Sequence, residues 1–330
     1  MPANLTAQYH KAEQAYRQAS SPEEELECLQ VMLREIPKHK GTDKLQADLK
    51  HKIAEAKKQC EKHSAAAKKS AQPKIPRQGA GRVVIMGGPN AGKSSLLKAL
   101  TRATPEVAPF PFTTREAQPG MMPWEDVQVQ LIDTPPITAD LYDPNTMGLL
   151  RGADLVLLLV DLGEDSGIDD LQAVLARIAD TKTRLANETM LDEEDIGVSY
   201  TQTLLVPNKI DLPEAADRLA LLHEFCPLTF AEHPISAEHG QNLEALRNTI
   251  YESLNVVRVY TKSPTKKDPD YDKPYTVKRG QTLLDVAELV HRDFAENLKY
   301  ARVWGAAIHP GSQVKGDYVL HDKDVVELHT

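Results

Sequence analysis

The feature that most constrains the fold is a glycine-rich segment, GGPNAGKSS, which spans residues 87–95 and directly follows the apolar run RVVIM. It fits the pattern Gly-x-x-x-x-Gly-Lys-Ser, and the next residues, SSLLKALTR, have a helical pattern. A glycine-rich loop between a buried strand and a helix turns its backbone N–H groups inward and adds the positive end of the helix dipole. The sequence therefore predicts a phosphate-binding loop in an α/β fold.

Each position of this loop has an expected role toward a nucleoside triphosphate. Lys93 is expected to reach the β- and γ-phosphates, and the Ser94 hydroxyl to bind Mg²⁺. Asp133 ends the apolar run VQVQLID, where a carboxylate would hold a magnesium-bound water. The predicted nucleotide-binding residues of the loop are Gly87, Pro89, Asn90, Ala91, Gly92, Lys93, Ser94 and Ser95.

Two later motifs concern the base. NKID, residues 208–211, follows the run TLLVP, and SAE, residues 236–238, lies at the end of the run HPIS. A carboxylate at Asp211 can accept both the N1–H and the 2-amino hydrogens of guanine. Adenine offers no such pair of donors, so the site favours guanine and disfavours an ATPase. Asn208 is predicted to tie this loop to the phosphate loop, and the Lys209 stem to cover the base. Asp211 is the predicted acceptor for guanine. The backbone N–H expected at guanine O6 comes from Ser236, Ala237 and Glu238.

The order of apolar runs predicts the domain organisation. Between residues 82 and 260, short strand-like runs alternate with helical patterns, which implies a mostly parallel sheet with helices on both faces. Polar segments rich in proline separate this part from its neighbours. The predicted division is a basic helical region at 1–72, a linker at 73–81, the α/β domain at 82–260, a linker at 261–272 and a small unit at 273–330.

Charge and hydropathy limit the partners. The formal net charge of -9 argues against nucleic-acid binding by the whole surface. Between residues 38 and 77, however, basic residues outnumber acidic ones by about three to one. This segment is either a solvated helical hairpin or a basic surface for RNA phosphates. No apolar run approaches the ~18 residues that span a bilayer, and the N-terminus lacks an apolar signal core, so we expect a cytoplasmic protein without a membrane partner.

These motifs together resemble the Obg/DRG branch of translation-associated GTPases. The resemblance rests on GGPNAGKSSLL, PFTT, NKID and SAE, and on the C-terminal YARVWGAAIHPGSQVKGDYVLHDKDVVEL, which is similar to the TGS domain, a β-grasp module. The segment IPKHKGTDKLQADLKHKIAEAK is similar to the N-terminal helices of DRG proteins. The resemblance implies a Ras-like P-loop GTPase domain, a C-terminal TGS domain, and work on ribosomes or RNA through the basic helices and the TGS surface.

The resemblance also assigns catalytic and metal positions. PFTT contains Thr113 and Thr114, and the second of them, Thr114, matches the family's magnesium-bound switch threonine. Asn90 stands where related GTPases hold K⁺, which would supply the charge of an arginine finger. The alternative is that Asn90 only caps the loop. The candidate catalytic residues are thus Lys93, Asn90 and Thr114, and the candidate metal ligands are Ser94 and Thr114.

Two departures from the family pattern are small. Gly88 replaces an aromatic residue of the phosphate loop. The stretch from Asp161 to Asn208 is too short for the extra inserted domain of DRG proteins.

A third departure affects the segment that would distinguish GTP from GDP. The family's Asp-x-x-Gly motif reads Asp133-Thr134-Pro135-Pro136 in this chain, so a proline stands in place of the glycine. The next residue is Ile137, so no water-orienting glutamine is present, and a hydrophobic residue at this position is usual for the branch. Proline has no N–H to donate to a γ-phosphate. Two hypotheses follow: a slow GTP hydrolase associated with the ribosome or RNA, or a scaffold that binds guanine nucleotide with little or no hydrolysis.

Overall fold

The computed structural model describes residues 6–19, 22–37, 42–66, 75–101, 117–138, 144–191, 198–265 and 268–330. The candidate switch threonines, Thr113 and Thr114, lie outside these residues. Within the described ranges, no helix is long and apolar enough to cross a membrane.

The N-terminal region is helical, as its periodicity predicts. The apolar stripes of three helices meet in one cluster, in which Tyr9, Met32 and Leu49 are buried. Thr6 begins the first helix by accepting a hydrogen bond from the Tyr9 N–H. The helices are α1 (Ala7–Gln18), α2 (Pro22–Glu35) and α3 (Asp43–Ala66).

The central domain is built on an eight-stranded sheet. The strand order is β2-β3-β1-β4-β7-β5, and β6 and β8 also pair with β7. Strands β3, β1, β4 and β7 run parallel, whereas β2 is antiparallel to β3. The strands are β1 (Arg82–Gly87), β2 (Gln118–Trp124), β3 (Val127–Asp133), β4 (Leu155–Asp161), β5 (Thr183–Ala186), β6 (Met190–Leu191), β7 (Ser199–Asn208) and β8 (Ala231–Glu232).

Helices cover both faces of this sheet, because its central strands are apolar on both sides. Alternate residues of β1 enter opposite cores: Val83 and Ile85 pack with α4 and α8, and Val84 and Met86 pack with α5, α6 and α7. The prediction of a Ras-like α/β domain is confirmed. The helices are α4 (Lys93–Leu100), α5 (Pro144–Arg151), α6 (Gly167–Ala179), α7 (Ala215–Phe225) and α8 (Leu243–Ser253).

The C-terminal unit is a separate five-stranded sheet in the order β10-β9-β13-β11-β12. Two helices pack on one face of it, over a core that includes Val257, Val326 and Leu283. This is the predicted β-grasp unit. Its elements are β9 (Val256–Thr261), β10 (Asp270–Lys278), α9 (Leu283–Val290), α10 (Arg292–Asn297), β11 (Tyr300–Gly305), β12 (Ile308–Val314) and β13 (Asp324–His329).

Three local predictions need correction. The second sheet begins at β9, whose residues were predicted to lie in the α/β domain and the following linker. Strand β9 pairs with β10 and β13 instead, because Val257 and Val259 face the C-terminal core. The run HPIS forms only isolated bridges at Ile235 and Ser236. The segment TLLDVAELVHRDF, whose apolar spacing predicts one helix, forms two, since His291 is extended at φ -169° and its Nδ1 accepts from the Asp293 N–H to start α10.

Candidate nucleotide-binding site

The phosphate loop connects the end of β1 to the start of α4. Gly92 has φ 89°, and a Cβ added there would lie 2.2 Å from Asn208 Nδ2. A Cβ added at Gly87 would lie 2.6 Å from the Leu159 carbonyl oxygen. Because neither position has room for a side chain, the two glycines allow the loop to pack directly against β4 and β7.

The N-terminus of α4 is open toward this loop. No side chain caps the helix, so the N–H groups of its first turn can meet phosphate oxygens. The buried Lys93 ammonium donates to the carbonyl oxygens of Gly87 and Gly88 at 3.2 and 2.7 Å. Burial lowers the pKa of Lys93 to about 8, against the opposing effect of the Asp133 and Asp170 carboxylates. A phosphate bound in the loop would favour the charged lysine.

Asp133 and Ser94 meet at the side of the loop where a magnesium ion is expected. Asp133 is fully buried, and its Oδ2 accepts from the Ser94 hydroxyl at 2.5 Å. Its Oδ1 is buried with no hydrogen-bond partner among the described residues. Burial raises the pKa of Asp133, although the Ser94 hydrogen bond and the Lys93 charge oppose that rise. An unpaired carboxylate oxygen beside a hydroxyl matches the oxygen ligands of hydrated Mg²⁺, so these residues fit the ion.

Asn208 joins the base-binding loop to the phosphate loop. Its Nδ2 donates to the Ala91 carbonyl oxygen at 2.9 Å, and its Oδ1 accepts from the Ala237 N–H at 3.0 Å. The side chain therefore holds the two sequence motifs together. The Ala237 N–H, one of the donors expected for guanine O6, is bonded to Asn208 in this structure.

The carboxylate of Asp211 is held at the mouth of the same loop. Its Oδ2 lies 3.1 Å from His239 Nδ1. A hydrogen bond from Ser236, together with His239, keeps the pKa of Asp211 below its usual value despite some burial. Asp211 is therefore ionised at neutral pH, as an acceptor of two guanine donors must be.

The other predicted contacts line the same edge of the sheet. Lys209 lies at φ 69° and its Nζ contacts Asp161 Oδ2 at 2.6 Å. Ala91 and Ala237 are buried, Pro89 is partly exposed, and Asn90, Ser95 and Glu238 are exposed. Hydrogen bonds thus join Lys93 to Gly87, Ser94 to Asp133, and Asn208 to Ala91 and Ala237.

Sequence reasoning missed two acidic residues that shape the site. Asp161 accepts a hydrogen bond from the Lys209 ammonium and another from the Gly163 N–H at 2.7 Å. Asp170 explains the missing aromatic residue, because a Cβ added at Gly88 would lie 2.8 Å from Asp170 Cβ. The signal for Asp161 was present as a carboxylate at the end of the buried run DLVLLLVD, whereas the position of Asp170 depends on how α6 packs.

The second switch segment is tied to β1. The Thr134 N–H donates to the Ile85 carbonyl oxygen at 3.2 Å, and the Ile137 N–H donates to the Gly87 carbonyl oxygen at 3.4 Å. Pro135 and Pro136, between them, have no N–H. The segment therefore offers a γ-phosphate no uncommitted backbone donor from residue 134 to residue 137.

Comparison with known proteins agrees with this geometry. Residues 82–191 match the model of the family described as 50S ribosome-binding GTPase, and residues 257–330 match the TGS domain. The fold and the nucleotide loops define the chain as a P-loop GTPase.

The relatives share both parts. The chain is 29% identical to an uncharacterized GTP-binding protein of Methanocaldococcus jannaschii, with 93% of this chain and 92% of that protein aligned. It is 27% identical to developmentally-regulated G-protein 2 of Arabidopsis thaliana, with 92% and 90% aligned. The solved structure of the YchF GTPase of Schizosaccharomyces pombe shares the fold at 13% identity and TM-score 0.51, with 79% of this chain and all of that chain covered. These matches are consistent with an Obg/DRG-type GTPase that carries a C-terminal TGS domain.

Proposed function

We propose that this GTP-binding protein hydrolyses GTP slowly and does so in association with the ribosome or RNA. The observation that carries the proposal is the phosphate loop with Lys93, Ser94 and Asp133 beside a second switch segment that has no uncommitted N–H donors from residue 134 to residue 137. Lys93, Ser94 and Asp133 converge on one edge of the sheet, while the N–H groups of Thr134 and Ile137 are bonded to β1.

The proposed site residues each bind a different part of the nucleotide or its metal ion. Lys93 would neutralise the β- and γ-phosphates, and Asp211 would select guanine. Ser94 would bind Mg²⁺, which supplies neutralising charge at the phosphates when it is bound, and the unpaired oxygen of Asp133 would hold a water of that ion. Thr114, outside the described residues, is the proposed second protein ligand of that ion.

Hydrolysis is expected to be slow because two usual contributions are missing. Ile137 has no polar group that could orient an attacking water. Pro136 cannot donate to the γ-phosphate. Turnover would then depend on groups supplied by a partner or by a cation.

Exposed basic side chains support RNA or the ribosome as the partner. On α3 the side chains of Lys44, Lys50, Lys57 and Lys58 are exposed. In the TGS domain Lys299, Arg302 and Lys315 are exposed. Basic side chains on two separate surfaces suit the phosphates of a large RNA rather than a small ligand.

The second candidate function is a scaffold that binds guanine nucleotide and scarcely hydrolyses it. This function is favoured by the hydrogen bonds from the N–H groups of Thr134 and Ile137 to β1. Because these N–H groups are already bonded, a γ-phosphate has no free donor in this segment with which to change its conformation. The two functions differ in turnover, not in affinity.

The test is single-turnover hydrolysis of GTP by the full chain, with and without ribosomes, and with a Lys93→Met variant as the matched inactive control. Slow hydrolysis that ribosomes accelerate supports the proposal. Hydrolysis equal to that of Lys93→Met in both conditions, with GTP still bound by the unmodified protein, establishes the scaffold function instead.

A further inference from the structure

A hairpin connects the two switch segments of the GTPase domain and ends at the TGS domain. Strand β2 follows residues 102–116, which contain the switch threonines, and strand β3 ends at Asp133. The turn between the strands is Glu125-Asp126, with Glu125 at φ 47°. Strand β2 is an edge strand that pairs with β3. Strand β2 therefore has a neighbouring strand on one side only, and contacts at the turn add to what holds it.

Arg258 of the TGS strand β9 holds that turn. Its guanidinium lies 2.5 Å from Glu125 Oε2 and 2.8 Å from Asp126 Oδ1, and it also contacts Asp322 of the TGS domain at 2.7 Å. Arg258 is only 3% exposed. The adjacent Tyr260 hydroxyl donates to Asp126 Oδ2 at 2.5 Å. A buried arginine shared by three carboxylates is a rigid, geometrically specific connection.

Aromatic packing joins the same turn to the GTPase core. Trp124 stacks on Tyr251 of α8 with ring centroids 3.6 Å apart, and its Nε1 donates to Asn248 Oδ1 at 2.9 Å. The Arg258 guanidinium lies 5.2 Å from the Trp124 ring centroid, so it covers this stack as well. The TGS domain thus closes over the end of the hairpin.

We infer that Arg258 is a positioning residue for the nucleotide switch: through Glu125 and Asp126 it restrains the β2–β3 hairpin and so limits the rearrangement that favours GTP over GDP. Strand β3 of this hairpin leads directly into the second switch segment. A restraint at the turn opposes displacement of that segment, including the shift that would free the Ile137 N–H from the Gly87 carbonyl. A partner that pulls the TGS domain from the turn would remove the restraint.

A second contact between the same two domains provides a matched control. Lys278 of β10 lies 3.2 Å from Asp154 Oδ1, at the start of β4, and donates to the Leu254 carbonyl oxygen. This contact does not involve the hairpin. Removing it weakens TGS docking without releasing the turn.

The experiment measures the affinity of the full-length protein for GDP and for a non-hydrolysable GTP analogue. For Asp126→Asn and Arg258→Gln, the ratio of affinities should shift toward the GTP analogue by about fivefold or more, the lower range of allosteric coupling. Lys278→Met should leave the ratio unchanged, and the conservative Asp126→Glu should retain most of the original ratio. Amide hydrogen exchange in residues 118–133 should quicken in Asp126→Asn and not in Lys278→Met.

Two results would overturn the inference. One is an unchanged ratio in Asp126→Asn, which keeps its fold because its side chain is partly exposed and Arg258 retains two carboxylates. The other is an equal shift in Lys278→Met, which would mean that docking in general, and not the hairpin, sets the ratio. The role inferred for Arg258 depends only on nucleotide binding. Hydrolysis that ribosomes do not change would therefore count against the proposed function but not against the role of Arg258.

Discussion

Asn208 connects the two halves of the nucleotide site, since its buried amide bonds to Ala91 in the phosphate loop and to Ala237 in the base loop. Asn208→Ala should leave both backbone groups unpaired and lower the free energy of unfolding by about 1–3 kcal/mol. Urea unfolding measures this decrease. Asn297→Ala, which removes an exposed asparagine hydrogen bond in α10, is the control and should have little effect. Equal decreases in the two variants would contradict the role given to Asn208.

Asp211 should decide which base is bound. In Asp211→Asn the side chain presents an amide where the carboxylate is proposed to accept two guanine donors, so GTP affinity should fall and xanthosine triphosphate affinity should rise. Competition binding with the two nucleotides measures the exchange. Equal binding of ATP and GTP by the unmodified protein would refute guanine selection by Asp211.

Asn90 tests the cation hypothesis. It is exposed on the phosphate loop at φ 55°, where its side chain is free of the packing that fixes Asn208. If Asn90 helps to hold K⁺, turnover should be faster in KCl than in NaCl at matched ionic strength, and Asn90→Ala should remove the difference. Equal turnover in the two salts would leave Asn90 only a role in shaping the loop.

At the scale of elements, the basic face of α3 can be tested without deleting the helices. The helical region packs on the GTPase domain through Glu25 and Tyr16, which contact Arg151, so deletion would expose a buried surface. Replacing Lys44, Lys50, Lys57 and Lys58 with glutamine should weaken RNA or ribosome association. It should also reduce the slope of log affinity against log salt by roughly 0.7–0.9 for each phosphate that the variant no longer neutralises.

Co-sedimentation across a salt series measures this change, and Lys98→Gln, an exposed lysine on α4, is the control. An unchanged slope would assign the helices to protein contacts or to packing.

The strands show how much of the fold could be predicted from the sequence. Continuous apolar runs predicted β1, β4 and β7 because these strands are buried on both faces. The pattern could not assign β9 to a sheet, since Val257 and Val259 would fill either core and only the pairing with β13 decides. It also missed β2, whose segment QPGMMPW contains two prolines and lacks alternation, because an edge strand tolerates them.

The site was more predictable than its surroundings. Motif residues such as Lys93 and Asn208 have fixed spacing, and the parallel strands bring their carboxyl ends to one edge. Asp170 and Arg258 act through packing between elements, for which the sequence gives no local pattern.

At the scale of the whole molecule, the nucleotide site and the TGS domain share the β2–β3 hairpin, and the helical region contacts both domains through Arg151 and a 2.6 Å ion pair between Lys11 and Glu288. A signal from a partner on the helices or the TGS domain could therefore reach the second switch through these contacts. We propose that the second switch senses the γ-phosphate weakly, because Pro136 cannot donate a hydrogen bond and the N–H groups of Thr134 and Ile137 are bonded to β1.

The most direct measurement is the affinity of the full-length protein for GDP and for a non-hydrolysable GTP analogue, before and after Pro136→Gly. The unmodified protein should bind the two nucleotides with similar affinity. Glycine restores an N–H at residue 136, and a hydrogen bond to a charged group contributes roughly 1.5–3 kcal/mol, so the variant should gain about 10- to 150-fold in preference for the GTP analogue. A preference of about a hundredfold in the unmodified protein, unchanged in Pro136→Gly, would contradict the claim.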